Sequence, residues 1–304
     1  MDNNLSNRHY KTANSYFQER FGFKVYKLAL DGGMTCPNRD GTLDTRGCIF
    51  CSSGGSGDFA QKQCGNISLQ LAQAKARLSG KNHGEHFIAY FQSFTNTYAD
   101  AEVLRKLFVP VINEPSIVGL SIATRPDCLP LEVLALINEL NQIKPVFIEL
   151  GLQTIHQKTA DFIRRGYELH VYDEAVKNLR KTGVHIITHM ILGLPGEDSA
   201  MMQATAGHIG AVGSHGVKLQ LLHILKGTDL ETFYRNGNFA ALSKFDYIDN
   251  LCKCVLCLPE GTVLHRITGD APKALLVEPK WSADKKRVLQ EIKEAFSNQG
   301  IILE

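Results

Sequence analysis

Six short apolar runs separated by helix-like stretches limit the folds open to this chain more than any other feature. They cover residues 25–30, 87–92, 116–123, 146–152, 184–192 and 217–224, with helical patterns at 69–78, 101–109, 131–140, 157–164, 172–182 and 199–212. Repeated strand–helix alternation implies parallel strands joined by right-handed crossovers, an α/β fold. At 304 residues the chain can bury a large core, and one main domain is expected. The hydrophobic fraction of 44% and charged fraction of 21% exclude a disordered chain. There is no apolar run of about twenty residues, and the polar start lacks the apolar core of a secretory signal, so a cytoplasmic protein with no membrane contact is expected. The net charge of +2 is too small to indicate a nucleic-acid partner by itself.

The stretch DGGMTCPNRDGTLDTRGCIFCSSGGSGD, residues 31–58, holds three of the eight cysteines, Cys36, Cys48 and Cys51. It is too rich in Gly, Asp, Asn and Pro for a helix or strand, so it is a loop delivered by the first apolar run. Without a secretory signal, eight cysteines argue for reduced thiols and metal ligation over disulfides. Three thiolates suit a zinc site completed by a histidine, or a four-iron cluster whose last iron has no protein ligand. The eleven residues between Cys36 and Cys48 match no common zinc-finger spacing.

In parallel barrels the site lies at the C-terminal strand ends, and the segments there are polar: QSFTNTYAD, TRPD, ELGLQT, THMILGLPGE and HILKGT. CPNRDGT, GCIFC and SSGGSGDF, followed by TRPD, by ELGLQT with RRGY, and by HMILGLPGE, resemble the radical S-adenosylmethionine (SAM) enzymes. The branch resembled contains the elongator catalytic subunit and the YhcC-type proteins, which share the long first cysteine gap. The likeness spans roughly residues 25–225. It implies a partial, six-stranded (β/α) barrel of TIM type in which Cys36, Cys48 and Cys51 ligate a 4Fe–4S cluster and SAM takes the open iron. It also implies that Gln92 and Ser93 meet the methionine amino group and that Gln153 and Arg165 contact the cofactor, the guanidinium pairing with its carboxylate. Ser121 and His189 fall where relatives contact the ribose. An electron donor such as flavodoxin or ferredoxin is implied, as is modification of the C5 side chain of a tRNA wobble uridine. Proteins of this group are associated with converting carboxymethylaminomethyl to aminomethyl there. The alternatives are a peptide or small-molecule substrate, or a non-catalytic RNA-binding or assembly factor holding zinc or a cluster.

The rest of the chain divides into residues 1–24, expected as a helical extension, the core at 25–225, and a C-terminal α/β extension at 226–304. Glu149 is expected to be buried by pairing with Arg125 or Arg165. Cys252, Cys254 and Cys257 lie on a helix from Lys244 whose expected core face is Phe245, Ile248, Leu251, Val255 and Leu258, so they read as core thiols. Cys64 and Cys128 have no partner at metal-ligand spacing. Residues 265–287 carry six Lys or Arg against three Asp or Glu, with the only tryptophan. His265, Arg266, Lys273, Lys280, Trp281, Lys285, Lys286 and Arg287 there offer phosphate contacts and a stacking surface for RNA. A last helix is expected over 282–296 with Ser282 as N-cap.

Overall fold

The computed structural model describes residues 7–79 and 84–304. The strands are β1 (Arg8–Thr12), β2 (Tyr26–Leu30), β3 (Phe87–Phe91), β4 (Ile117–Thr124), β5 (Val146–Gln153) and β6 (His185–Leu192). They continue with β7 (Gly216–Leu221), β8 (Ile224–Leu225), β9 (Val263–Arg266), β10 (Leu276–Glu278) and β11 (Ile301–Leu303). All six apolar runs are strands, and all six helical patterns are helices. The nine-stranded sheet runs β11-β1-β9-β7-β6-β5-β4-β3-β2, and its neighbours pair in parallel. β8 and β10 form a separate antiparallel pair.

The sheet is strongly curved but not closed, with β2 and β11 as its edges. Lys218 on β7 reaches the Tyr90 hydroxyl on β3 at 3.1 Å, although four strand spacings would be about 19 Å in a flat sheet. Alternation along each strand then separates two environments. Ile148, Leu150 and Leu152 of β5 join the main core with helix residues such as Leu104, Phe108, Ile137 and Leu179. Phe147, Glu149, Gly151 and Gln153 take the other face, where the last three line a cavity.

The leading segment corrects the sequence expectation. Residues 1–6 lie outside the described residues, and Arg8–Thr12 is a strand, with the helix confined to Ala13–Phe21. The strand forms because Tyr10 is fully buried and its hydroxyl donates to Val255 O at 2.8 Å, while β9 and β11 flank it. Thr12 caps the helix by accepting from Ser15 N, and Gly22, at φ +78°, ends it. The helix closes the N-terminal end of the curved sheet: Phe17 packs with Ile88, Phe147 and Ile187, which lie near the starts of their strands.

Three smaller expectations also change. The helix expected over 101–109 runs on through Pro110 to Ile112, because burial of Val111 and Ile112 draws the last turn into the core. Phe245 is 79% exposed; Tyr247 takes the core position instead. The final helix is Lys285–Asn298, capped by Asp284 rather than Ser282, whose hydroxyl donates to Pro279 O. Among the described residues no helix is long and apolar enough to cross a membrane.

Phe17→Ala removes the ring that seats this helix, so unfolding free energy should drop by about 3–5 kcal/mol. Urea denaturation measures it, and a loss under about 1 kcal/mol would mean that the helix does not close the sheet end.

Candidate active site

A cavity of about 490 Å³ opens at the C-terminal ends of the strands and is lined by Cys36, Cys48 and Cys51 together with residues from β3 to β7 and β9. The cysteine loop is held there by many short contacts. Asn38 Nδ2 donates to Arg164 O at 2.6 Å, Arg39 to Ser52 O at 2.7 Å, and Gln92 Nε2 to Ser56 O at 2.7 Å. Ser52 Oγ donates to Asp58 at 2.9 Å. Glycine is required where the loop crosses β3: a Cβ at Gly55 would meet the Phe94 ring at 2.2 Å, and one at Gly57 would meet Ser93 Oγ at 1.9 Å. All three cysteines are free and half-buried. The Cys48 thiol is lowered to about 7, chiefly because Cys51 donates to it, with Arg125 and Asn38 assisting; Cys51 is pushed up by the same contact and by burial.

Backbone strain gathers at the same place. Among the described residues the non-glycine positions with left-handed φ are Ser56, Phe94, Gln153 and Arg164. The first three line the cavity, and the fourth supplies the carbonyl that Asn38 binds. Such strain persists where the surroundings over-determine it. Gln153 Oε1 is also buried with no hydrogen-bond partner, an orphaned acceptor at the edge of a cavity that holds three thiols. This donor set fits an iron–sulfur cluster with a bound polar cofactor. Among the described residues no three His, Cys, Asp or Glu side chains converge at a spacing for a single metal ion.

Below the cysteines lies a buried polar network. Glu149, fully buried, accepts at Oε1 from Lys27 at 2.9 Å and Ser121 at 2.7 Å, and at Oε2 from His189 at 2.8 Å and from Lys218. Burial alone would raise the Glu149 carboxyl, but Lys218, Lys27 and His189 outweigh it and hold it well below its usual range. Burial lowers Lys218 to about 7 against the pull of Glu149. Burial, reinforced by Lys218, lowers His189 to about 4.

The expected pairing of Glu149 with Arg125 or Arg165 is therefore corrected. Arg125 forms a bidentate pair with Asp127 at 2.9 and 2.7 Å. Arg165 donates to Leu152 O, Thr154 O and Tyr167 O. Gln92, Gln153, Arg165 and His189 line the cavity; Ser93 is buried beside the loop glycines, and Ser121 sits one layer down on Glu149. Lys27, Tyr90 and Lys218 are site residues that the sequence reading does not single out, and Arg266, expected on an RNA-facing surface, lines the cavity instead. A lysine inside the apolar run GVKLQL was the available signal, since a buried lysine is paired. Outside the cavity, Cys252 and Cys254 are buried in the helix Lys244–Leu256, and burial raises both thiols, whereas Cys257, expected as a third core thiol, is the C-cap of that helix and is exposed.

Residues 45–209 match the radical SAM superfamily, and residues 214–298 match the radical SAM C-terminal domain. The chain belongs to the radical SAM superfamily, whose cofactors are a 4Fe–4S cluster and SAM, and it is an enzyme of that chemistry. It is 45% identical to the uncharacterized protein YtqA of Bacillus subtilis, over 96% of this chain and 91% of that one. To protein YhcC of Escherichia coli K12 it is 36% identical, over 93% and 90%. A tRNA uridine(34) acetyltransferase of Methanocaldococcus jannaschii is 26% identical over 53% of this chain but only 30% of its own length. The solved archaeal Elp3 of Methanocaldococcus infernus superposes with a TM-score of 0.67 at 18% identity, covering 91% of this chain and 64% of that one. That likeness shows the fold.

His189 takes up a proton near 6.5 in an unfolded chain and only near 4 when folded. Stability from this group is complete above the unfolded value and is lost as pH falls toward the folded one. His223, also lowered to about 4 by burial, acts in the same direction. The urea midpoint should therefore fall as pH drops from about 6.5 to 4. The stability gap between parent and His189→Asn should narrow by about 2 kcal/mol over that range; a constant gap would show that His189 titrates normally.

Proposed function

We propose that this enzyme acts on RNA, modifying the C5 side chain of a tRNA wobble uridine. The observation that carries the reading is that the basic C-terminal segment runs out of the cavity wall. Asp270 and Pro272 line the cavity, and exposed Lys273, Lys280 and Lys286 follow, without ion pairs among the described residues. A polyanion on that surface would lead one base into the cavity, which is how single-stranded RNA is commonly read. The tRNA uridine named in a relative supports the same class. Residues 226–304 would then be the substrate-facing part of the chain.

Cys36, Cys48 and Cys51 would hold the cluster. When bound, cluster and SAM together supply a 5′-deoxyadenosyl radical that removes hydrogen from an unreactive carbon, with electrons from a donor such as flavodoxin or ferredoxin. The chain's own contribution is orientation and exclusion of water. Gln153 would offer its unpartnered Oε1 to the SAM amino group. Gln92, tied to Ser56 O, and Ser93, against Gly57, hold the cysteine loop against β3. Arg165 shapes the cavity wall by drawing in three carbonyls and would face the cofactor from there. His189, neutral at physiological pH, would present its ring toward the ribose.

Replacing Cys36, Cys48 and Cys51 together by Ala should abolish bound iron after anaerobic reconstitution and with it SAM cleavage; four irons retained per chain would defeat the assignment. Mass spectrometry of tRNA nucleosides from cells with and without the gene tests the substrate, and identical nucleoside profiles would remove it. Replacing Lys273, Lys280 and Lys286 by Ala should flatten the salt dependence of tRNA binding by about one unit of slope for each lysine that meets a phosphate. An unchanged slope would make this surface a solvated face.

A further inference from the structure

Four arginines line the cavity, Arg39, Arg125, Arg165 and Arg266. Three are committed to the protein. Arg39 donates to Ser52 O, Arg125 to Asp127, and Arg165 to three carbonyls. Arg266 makes no side-chain hydrogen bond to any described residue; its one ion pair among them is a long contact of 3.6 Å to Asp270. Asp270 does not need it, because Lys285 Nζ donates to that carboxylate at 2.6 Å.

The sheet register aims Arg266 inward. Leu264 pairs with Val217, but a register shift then sets Arg266 rather than His265 opposite Lys218, so Arg266 joins His189 on β6 and Lys218 on β7 in lining the cavity. The charge of Arg266 reaches Tyr90, His189, Lys218 and His223. Around it Lys27 and Lys218 are held by Glu149 and Lys285 by Asp270, so of these four cations Arg266 is the one without a close carboxylate partner among the described residues. A guanidinium presents a rigid fork of donors that matches the paired oxygens of a carboxylate or phosphate. Gly269 keeps the wall close: a Cβ there would meet His223 at 2.3 Å.

We propose that Arg266 is the anchor for an oxyanion of the substrate, a carboxylate or a phosphate, bound through the guanidinium fork beside Lys218. The anchor rests on the proposed RNA substrate for its biological ligand but not for its chemistry. It stands on β9, across the curved sheet from β2, whose loop carries the cysteines, so an anion held here fixes one end of a substrate whose other end faces the cluster loop.

Two experiments test it. In the purified holoenzyme, phenylglyoxal modification followed by peptide mapping should label Arg266 faster than Arg39, Arg125 or Arg165. Inorganic phosphate or acetate should protect it selectively. Separately, binding of anticodon stem–loops bearing carboxymethylaminomethyl-uridine or aminomethyl-uridine is compared for parent and Arg266→Gln. Loss of a charge-assisted contact weakens binding about tenfold to a hundredfold. If the oxyanion is the side-chain carboxylate, only the carboxymethylaminomethyl stem–loop loses affinity; if it is a phosphate, both lose equally. Absence of RNA binding in the parent with Arg266 still protected would sink the RNA reading and leave the anchor standing. Arg266 unprotected by either anion, or stem–loop affinities unchanged in the variant, overturns the anchor.

Discussion

The carboxylate of Glu149 is the interaction on which the rest of the interior depends. A buried ion loses several kcal/mol of hydration, which is recovered only if its partners are close and its lone pairs are filled. A carboxylate has about four acceptor sites, and Glu149 fills them with Lys27, Ser121, His189 and Lys218. Lys218 also donates to Tyr90. Those residues come one each from β2, β3, β4, β5, β6 and β7, so a single ionic centre reads the position of every strand in the six-strand array. Shifting one strand by a residue would turn its member of the network into the helix core. The network thus fixes register as well as charge.

This centre divides the interior into layers. Beneath it Phe17, Phe147, His185 and His265 form an aromatic plug, with Phe17 and Phe147 edge-to-face at 5.4 Å. Tyr16 Oη meets His185 Nδ1 at 3.0 Å, and burial pushes the His185 imidazole down to about 3, so the plug stays uncharged. Above the ionic layer the cavity begins, floored by Glu149, His189 and Lys218 and roofed by the cysteine loop. A floor already saturated with hydrogen bonds adds little reactivity of its own. Two polar groups of the cavity lining are left open: Gln153 on β5, whose Oε1 has no partner, and Arg266 on β9, whose contact with Asp270 is 3.6 Å.

How much of this the sequence discloses depends on length and on partners. The six strands of the array are legible because each carries enough buried Val, Ile, Leu and Phe to stand out alone. β1, β9 and β11 are not: β1 is the polar run RHYKT, β9 and β11 have only four and three residues, and the pairing of all three depends on neighbours distant in sequence. The three cysteines are legible as a group because loop composition and spacing are local properties, and they do line one cavity. The partners of Glu149 are not legible. Arginines nearby in sequence were the obvious candidates, whereas the structure uses Lys27 and Lys218, which curvature brings in from 122 and 69 positions away. Similarly, a basic segment in sequence reads as one surface. In the fold it splits, with Arg266 facing the cavity, Trp281 packed on Tyr247 at 5.6 Å, and the lysines outside.

That split follows from the open sheet. A barrel closed by six strands would bring β2 directly against β7 and leave no gap for a further chain segment. Here β7 pairs instead with β9, β9 with β1, and β1 with β11, so the C-terminal part of the chain becomes a wall of the same cavity. The two walls have different origins and different chemistry. One is a glycine-rich loop pinned by its backbone contacts, which suits a cofactor whose position must not vary. The other is Arg266, Asp270 and Pro272, continuous with an exposed basic surface and carrying a guanidinium not yet spent on the protein. Among the described residues Arg266, Asp270 and Pro272 make no hydrogen bond to Glu149 or to the cysteine loop, so the second wall can vary in sequence while the first wall and the ionic centre keep their contacts.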